Sequence, residues 1–315
     1  TIAVGQGMGS NMAFITPVMH WFRRKRGRAS AFLASGRGWG YIGALPIAFL
    51  LGLYGWRQTT TIVAIIFFVI SLPMALVLRL RPEPHGYWPD GEIAPALTES
   101  GATHEPQAGD DGSFTVKEAF QSPAFWFVLL SNSLYGFSTS TNHVHFITHM
   151  RYTGFSATEA ALIVTIYGGV QVVSRITFGW VGDRMGRHRL LIISFLLMGV
   201  GWPAIAFISP NALWAVVLYY LTYASGQAAH TVTAQTIVAD FFGPRRYATI
   251  RGLMNPIGVL GGVTGPLFAG AMFDRFGNYE LSFFSLGLLV ALGAPVMYLA
   301  GKPTLSGEST PATEK

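Results

Sequence analysis

Cysteine is absent from the 315 residues. The chain therefore offers no disulfide framework, thiolate nucleophile or cysteine-ligated metal, and its redox compartment stays undetermined. Charge is the second scarcity. Charged residues make up 11% of the sequence against 51% apolar, where an ordinary soluble domain carries roughly 25% charged. The acids are also unevenly spread, with eight of fifteen between positions 79 and 120. No Asp or Glu lies in the middle of a long apolar segment. Paired carboxylates are thus excluded there, and no nucleophile–base pair, metal set or nucleotide-phosphate loop replaces them. The sequence reads as a non-enzyme, with no catalytic residues and no need of a cofactor.

Long apolar runs are what remain. Nine segments, roughly 2–22, 29–53, 58–78, 124–149, 158–180, 190–209, 212–236, 249–273 and 281–300, are each long enough to cross a bilayer as a helix. The expected fold is an all-α, multi-pass membrane protein whose short connections make consecutive helices antiparallel neighbours. A net charge of +6 would suit nucleic acid if it covered one soluble face. Instead eleven Lys and Arg, at 23–28, 184–189 and 245–251, share one end of the spans, and only Arg57, Arg151 and Arg275 share the other. The basic-rich end is read as cytoplasmic. The expected surroundings are a plasma or inner membrane, and no nucleic acid.

Two stretches imitate other chemistries. The run Arg23-Arg24-Lys25-Arg26-Gly27-Arg28 is wedged between two spans and reads as a topological anchor. Gly36-Arg37-Gly38-Trp39-Gly40 suggests a phosphate loop, but no strand precedes it, so small-residue helix packing is the better reading. Domain organisation follows composition. Residues 1–78 hold three spans, 79–120 form a solvated cytoplasmic linker too polar to bury a core, 121–301 hold six spans, and 302–315 are a disordered cytoplasmic tail. A repeat joins the two helical parts: at an offset of 220, Trp21-Phe22 falls on Phe241-Phe242, Gly38 on Gly258 and Pro46 on Pro266.

Between the fifth and sixth spans stands Gly179-x-x-Gly182-Asp183-Arg184-x-Gly186-Arg187, preceded by Arg175 inside the span. This charged hairpin resembles the signature loop of the major facilitator superfamily of secondary transporters. The stretch from Phe22 to Ala29 with Ala34, Gly36 and Gly40 is similar to the fifth-helix entry of its monocarboxylate-transporter-like members. Gly55-Trp56-Arg57, Arg81-Pro82-Glu83 and Pro89-Asp90-Gly91 are similar to the end of the first half in prokaryotic members. Arg175-x-x-x-Gly179-x-x-x-Asp183 resembles their eighth helix, and Gly265-Pro266 with Phe273-Asp274-Arg275-x-Gly277-x-Tyr279 their eleventh. The oxalate–formate branch matches less well: its eleventh helix carries a buried lysine, where this chain has only Arg251 near the cytoplasmic end.

The resemblance implies a bundle of two parallel six-helix halves, of which this chain supplies helices 4–12. Carried back by 220, the hairpin's first-half copy falls before residue 1, so the first three helices are expected to be missing and the chain alone is not expected to transport. The implied function is secondary active transport of a small organic anion, a monocarboxylate, by alternating access, with a coupling proton or an exchanged anion. The rival is a transporter-like receptor that binds ligand without moving it, and flux separates the two.

Ionisable groups inside a bilayer are costly, so each is a candidate. Tyr167, Gln171 and Arg175 recur every four residues and share one helix face. A guanidinium grips a carboxylate through two parallel hydrogen bonds, and the resemblance implies that role for Arg175; a structural arginine is the alternative. Animal monocarboxylate carriers have a carboxylate where Gln171 stands, so His143, His145 and His230 are the remaining titratable candidates. Asn142, His145 and His149 form one polar face, and Tyr219, Tyr223, Gln227 and His230 another; inter-helix hydrogen bonds are the rival role for each histidine. His143 and His145 point to nearly opposite sides of a helix, which disfavours a metal site. Arg37 is either a second anion contact or snorkels to the interface. In the hairpin, Gly179 and Gly182 allow close helix approach, while Asp183 and Arg184 make inter-helix charge contacts. Gly186 sits at its tip, and Arg187 and Arg189 hold it at the cytoplasmic face. Asp183 is expected beside the positive start of the second span, near Arg28 to Ala31; an ordinary topogenic turn is the alternative.

Overall fold

Long apolar runs become helices because lipid leaves every backbone polar group to be satisfied within the segment. The computed structural model describes residues 11–22, 24–82, 84, 86–88, 90, 114–301 and 303, except the side chains of 11–13, 26, 37, 44, 45 and 48. Among these residues there are helices and no strand. The beginning of the first expected span, the middle of the linker and nearly all of the tail lie outside the described residues.

Helix α1 covers Asn11–Trp21, α2 Arg26–Ile42 and α3 Ala44–Val77. The second expected span is divided at Gly43, between α2 and α3, although Gly43 keeps helical torsion and its N–H still donates to the Trp39 carbonyl. The expected turn after it is one residue, Gly55, at φ 71° and ψ 171° within α3, a conformation glycine adopts without Cβ strain. After α3 the chain returns to the basic loop. The Trp21 indole donates to the Arg79 carbonyl at 3.0 Å, and the Asp90 carboxylate accepts from the backbone N–H of Arg24 at 2.7 Å, just ahead of α2.

A short helix α4, Val116–Gln121, follows. Composition assigns these residues to the solvated linker, and its last residues form a capped helix that packs against the bundle. Thr115 and Glu118 form a reciprocal capping box, Phe114 and Ala119 are buried, and the Phe114 N–H donates to the Phe242 carbonyl at 3.0 Å. The Thr-x-x-Glu signal was legible in the sequence.

The remaining helices are α5 Pro123–Tyr152, α6 Ala157–Met185, α7 Arg187–Ala206, α8 Leu213–Tyr219, a π turn Tyr220–Ala224, α9 Ser225–Phe242, α10 Tyr247–Phe276, α11 Glu280–Ala291 and α12 Gly293–Leu299. Their ends follow local chemistry. Pro123 begins α5, Ser156 and Glu159 cap α6, and Gly186, Gly243 and Gly277 end α6, α9 and α10 at φ 90°, 81° and 72°. Five described helical stretches are long and apolar enough to cross a membrane by length and composition: Phe49–Val77, Ala157–Met185, Arg187–Ala206, Tyr247–Phe276 and Glu280–Leu299. Helix α5, with 30 residues, rises about 45 Å, but its apolar run is broken by Asn142 and three histidines.

Small residues set the close crossings. On α2 against α6, a Cβ at Gly38 would lie 3.0 Å from the Gly168 carbonyl oxygen, and one at Gly179 would lie 2.5 Å from the Ala31 Cβ. The crossing of α5 with α10 repeats the device: a Cβ at Gly136 would lie 2.6 Å from the Gly258 carbonyl oxygen. Gly38 and Gly258 are the pair related by the 220-residue offset, and each sits where a glycine of another helix meets it. Helix α9 is rich in Ala and Thr and is buried along almost its whole length, so backbones approach it from several sides.

Candidate functional site: a buried polar seam

The seam is built where α6 meets the π turn and α9. Tyr167, Gln171 and Arg175 are all buried on α6, and their four-residue spacing aligns them as expected. The Gln171 Nε2 lies 2.7 Å from the Gln227 Oε1, 2.9 Å from the Ala224 carbonyl oxygen and 3.0 Å from the Tyr167 hydroxyl. The Tyr167 hydroxyl donates to the same Gln227 oxygen. Ala224 closes the π turn, a perturbation of the α-helical ladder that is frequent at functional sites. The Gln171 Oε1 is buried and has no donor among the described residues.

Arg175 reaches the other way. Its Nη1 donates to the Ala34 carbonyl of α2 at 2.7 Å, and only 2% of the residue is exposed. The α2 helix also supplies Tyr41, whose ring packs edge-on to Tyr167 at 5.2 Å and whose hydroxyl lies 2.6 Å from the His143 Nε2 of α5. Asn142 and Tyr219 exchange hydrogen bonds at 3.0 and 3.2 Å. Tyr223 meets Ser138 at 3.2 Å, and Ser138 also accepts from the Trp202 indole at 2.8 Å. Tyr167, Tyr219 and Tyr223 stack in sequence, with ring centroids 5.8 and 5.3 Å apart.

Other candidates stand apart from this seam. His145 lies 3.0 Å from the Pro266 carbonyl of α10 through Nε2 and 3.1 Å from the Tyr279 hydroxyl through Nδ1. Since a carbonyl only accepts, Nε2 carries the proton and Nδ1 accepts from the tyrosine. His149 donates to the Ile205 carbonyl at 2.9 Å. Both are therefore inter-helix struts here. His230 is buried and stacks on Tyr135 at 3.8 Å, and neither ring nitrogen has a hydrogen-bond partner among the described residues. The side chain of Arg37 lies outside the described residues. No cluster of three metal-ligating side chains occurs among the residues described.

At the basic end, Asp183 sits against Gly27 at the start of α2, 3.9 Å from the Arg28 Nε and 3.1 Å from an Arg187 nitrogen. Arg187 Nη1 also lies 2.7 and 2.8 Å from the two oxygens of Asp240 on α9. Arg28 and Arg184 both lie over the Trp180 ring, at 4.6 and 5.1 Å. This network ties α2, α6, α7 and α9 together. Gly179 makes the helix contact expected of it, Gly182 approaches Leu190, and Gly186 supplies the positive φ between α6 and α7. Sequence reading did not select Asp240, Tyr41 or Ser138; the scarcity of acids beside membrane spans was the signal available for Asp240.

Long apolar helices around a buried polar seam, with a charged network at one end, define a multi-pass helical membrane protein with a polar interior. The chain belongs to the Major Facilitator Superfamily, whose family model matches residues 2–150 and 128–315. It is 25% identical over 94% of its length to monocarboxylate transporter 13 of Bos taurus, covering 66% of that protein. It is 26% identical to the sialic acid transporter NanX of Escherichia coli over 95% of its length and 69% of that protein. MFS transporter asaE of Aspergillus flavus is 24% identical over 84% of the chain and 55% of that protein. The chain thus spans between about half and two thirds of the length of such relatives. These relatives are transporters and not enzymes.

Proposed function

We propose that this chain forms the larger part of a secondary active transporter for a small organic anion, a monocarboxylate, and that Arg175 takes the carboxylate. The carrying observation is a guanidinium buried inside a membrane-spanning helix, on one face with Tyr167 and Gln171. A charge at that depth is costly unless it serves a partner or a pathway. Arginine presents two parallel donors that match a carboxylate. Gln171 adds an acceptor oxygen without a donor among the described residues, suited to a hydroxyl or a protonated group on the same ligand. Two relatives, a monocarboxylate transporter and a sialic acid transporter, agree with an organic anion.

In this reading residues 1–78 and 121–301 are parts of two bundles that rock about the seam, joined by a cytoplasmic linker at 79–120. The basic-rich ends, with the Asp183 network, face the cytoplasm. That network is the cytoplasmic latch: it closes α2 against α6 and must part for access from that side. With Gln171 unable to titrate, a coupled proton would use a histidine, or an exchanged anion would take its place. Uptake of labelled pyruvate, lactate, formate and oxalate into proteoliposomes holding the whole transporter, with and without a pH gradient, tests the reading. Saturable uptake of at least one carboxylate supports it. Ligand binding without net or exchange uptake would show a receptor instead.

A further inference from the structure

A second basic feature, half-buried, lies outside the seam. Arg251 lies one turn into α10, and its Nη1 donates to the Asn132 side-chain oxygen of α5 at 3.2 Å. It makes no other hydrogen bond and no ion pair among the described residues. Guanidinium has five N–H donors, so most of its capacity is unused. A cleft of about 200 Å³ opens beside it, lined by Asn132, Tyr135, Gly136, Arg251, Asn255 and Gly258 among others. Its volume is several times that of a water and below the roughly 300–1,000 Å³ of sites for drug-sized ligands. Residues 251, 255 and 258 share one face of α10, as 132, 135 and 136 do on α5. Gly258 puts no side chain into it and has open space where a Cβ would stand, while Gly136 packs directly against the Gly258 carbonyl.

The polar part of the lining suits an anion: one guanidinium, two carboxamides, the Tyr135 phenol and no carboxylate, beside the apolar Met254 and Val259. The Asn132 amide donates to its own helix at Val128 and offers its oxygen to Arg251, so it holds the guanidinium in place. The Tyr135 hydroxyl is bonded to Thr231 at 2.8 Å, one turn of α9 beyond Gln227 of the seam. The cleft is therefore a neighbour of the seam, toward the end where α10 begins.

We propose that this cleft is a second small-carboxylate site, held by Arg251 and Asn255 and separate from Arg175. The ligand class rests on the transport reading above; the geometry does not. The test is the ¹³C linewidth of [1-¹³C]acetate titrated against the purified chain in lipid nanodiscs. Wild type should show two saturable components. Arg251→Gln should remove one of them and Arg175→Gln the other, with both proteins eluting as wild type on size exclusion. Asn255→Ala, on an exposed position, should weaken the same component as Arg251→Gln and guards against a folding defect in the arginine variant. An Arg251→Gln titration that superimposes on wild type overturns the second site and leaves the first. A single component lost only in Arg251→Gln keeps the second site and removes the first. No broadening beyond that of empty nanodiscs overturns the proposal.

Discussion

Helices α3 and α6 are both membrane-length and apolar, yet they have opposite surroundings. From residue 51 to 77, only Thr59 of α3 is buried, and Phe67 stands 70% exposed. On α6, by contrast, Tyr167, Gly168, Gln171, Ser174, Arg175, Gly179 and Gly182 are all buried. Greasiness does not decide which helix enters the core, because lipid is as apolar as leucine. Small residues that admit a neighbour's backbone, and polar side chains that find partners on it, decide it. Helix α6 has both at four-residue spacing; α3 presents bulky Phe, Ile and Leu in every direction.

That contrast can be broken by filling the α6 crossing. A Cβ at Gly168 would lie 2.7 Å from the Tyr41 Cβ and 2.9 Å from the Gly38 carbonyl oxygen, whereas at Gly169 nothing lies within 4 Å. Gly168→Leu should cost 3 kcal/mol or more, at the upper end of overpacking penalties of about 1–3 kcal/mol, and should abolish the folded peak in fluorescence-detected size exclusion. Gly169→Leu should elute as wild type. Equal behaviour of the two would show that the crossing is not tight.

The charged end comes next in size. Asp240→Asn removes a charged acceptor from the half-buried Arg187, and a hydrogen bond to a charged group contributes about 1.5–3 kcal/mol. Thermal unfolding in detergent should register that loss, and a double-mutant cycle with Arg187→Gln should return most of it as coupling. Independent, additive effects would mean that the pair does not act as a unit.

Smaller still is the cap on α4. Thr115→Ala should cost about 0.5–2 kcal/mol, read as faster proteolysis between α4 and the preceding segment. The Thr115 backbone N–H and then its hydroxyl hold the exposed Glu118 carboxyl below its ordinary value. A depressed carboxylate adds stability above its unfolded pKa and loses it as pH falls through the folded one. Protection of this cap should therefore fade on acidification below the ordinary carboxylate range, and a flat profile would contradict the capping account. Smallest of all, Phe67→Ala on the bare face of α3 should fall within about 0.5 kcal/mol of wild type, as surface substitutions usually do.

Much of this was legible before any coordinates. Run length marked long apolar helices, five of which are long and apolar enough to cross a membrane among the described residues, and the pseudo-symmetry of the two halves put Asp183 near the start of α2. The periodicity of Tyr167, Gln171 and Arg175 put them on one face. What was not legible was rotation between helices. Asn142, His145 and His149 read as one polar face, yet they reach α8, α10 and α7 respectively. A helix's own sequence fixes which residues align along it, while its partners depend on crossings set by glycines elsewhere. The division at Gly43 was missed because it falls inside an apolar run. Composition over forty residues likewise concealed the two-residue signal that starts α4.

The central claim is that Arg175 binds the ligand's carboxylate, and a binding titration on Arg175 variants tests it most directly. Labelled carboxylates that bind wild type should bind Arg175→Lys more weakly, because an ammonium keeps the charge but cannot make the paired contact. Arg175→Gln should bind weaker still, while both variants elute as folded protein on fluorescence-detected size exclusion. Affinity unchanged in a well-folded Arg175→Gln protein would contradict the account.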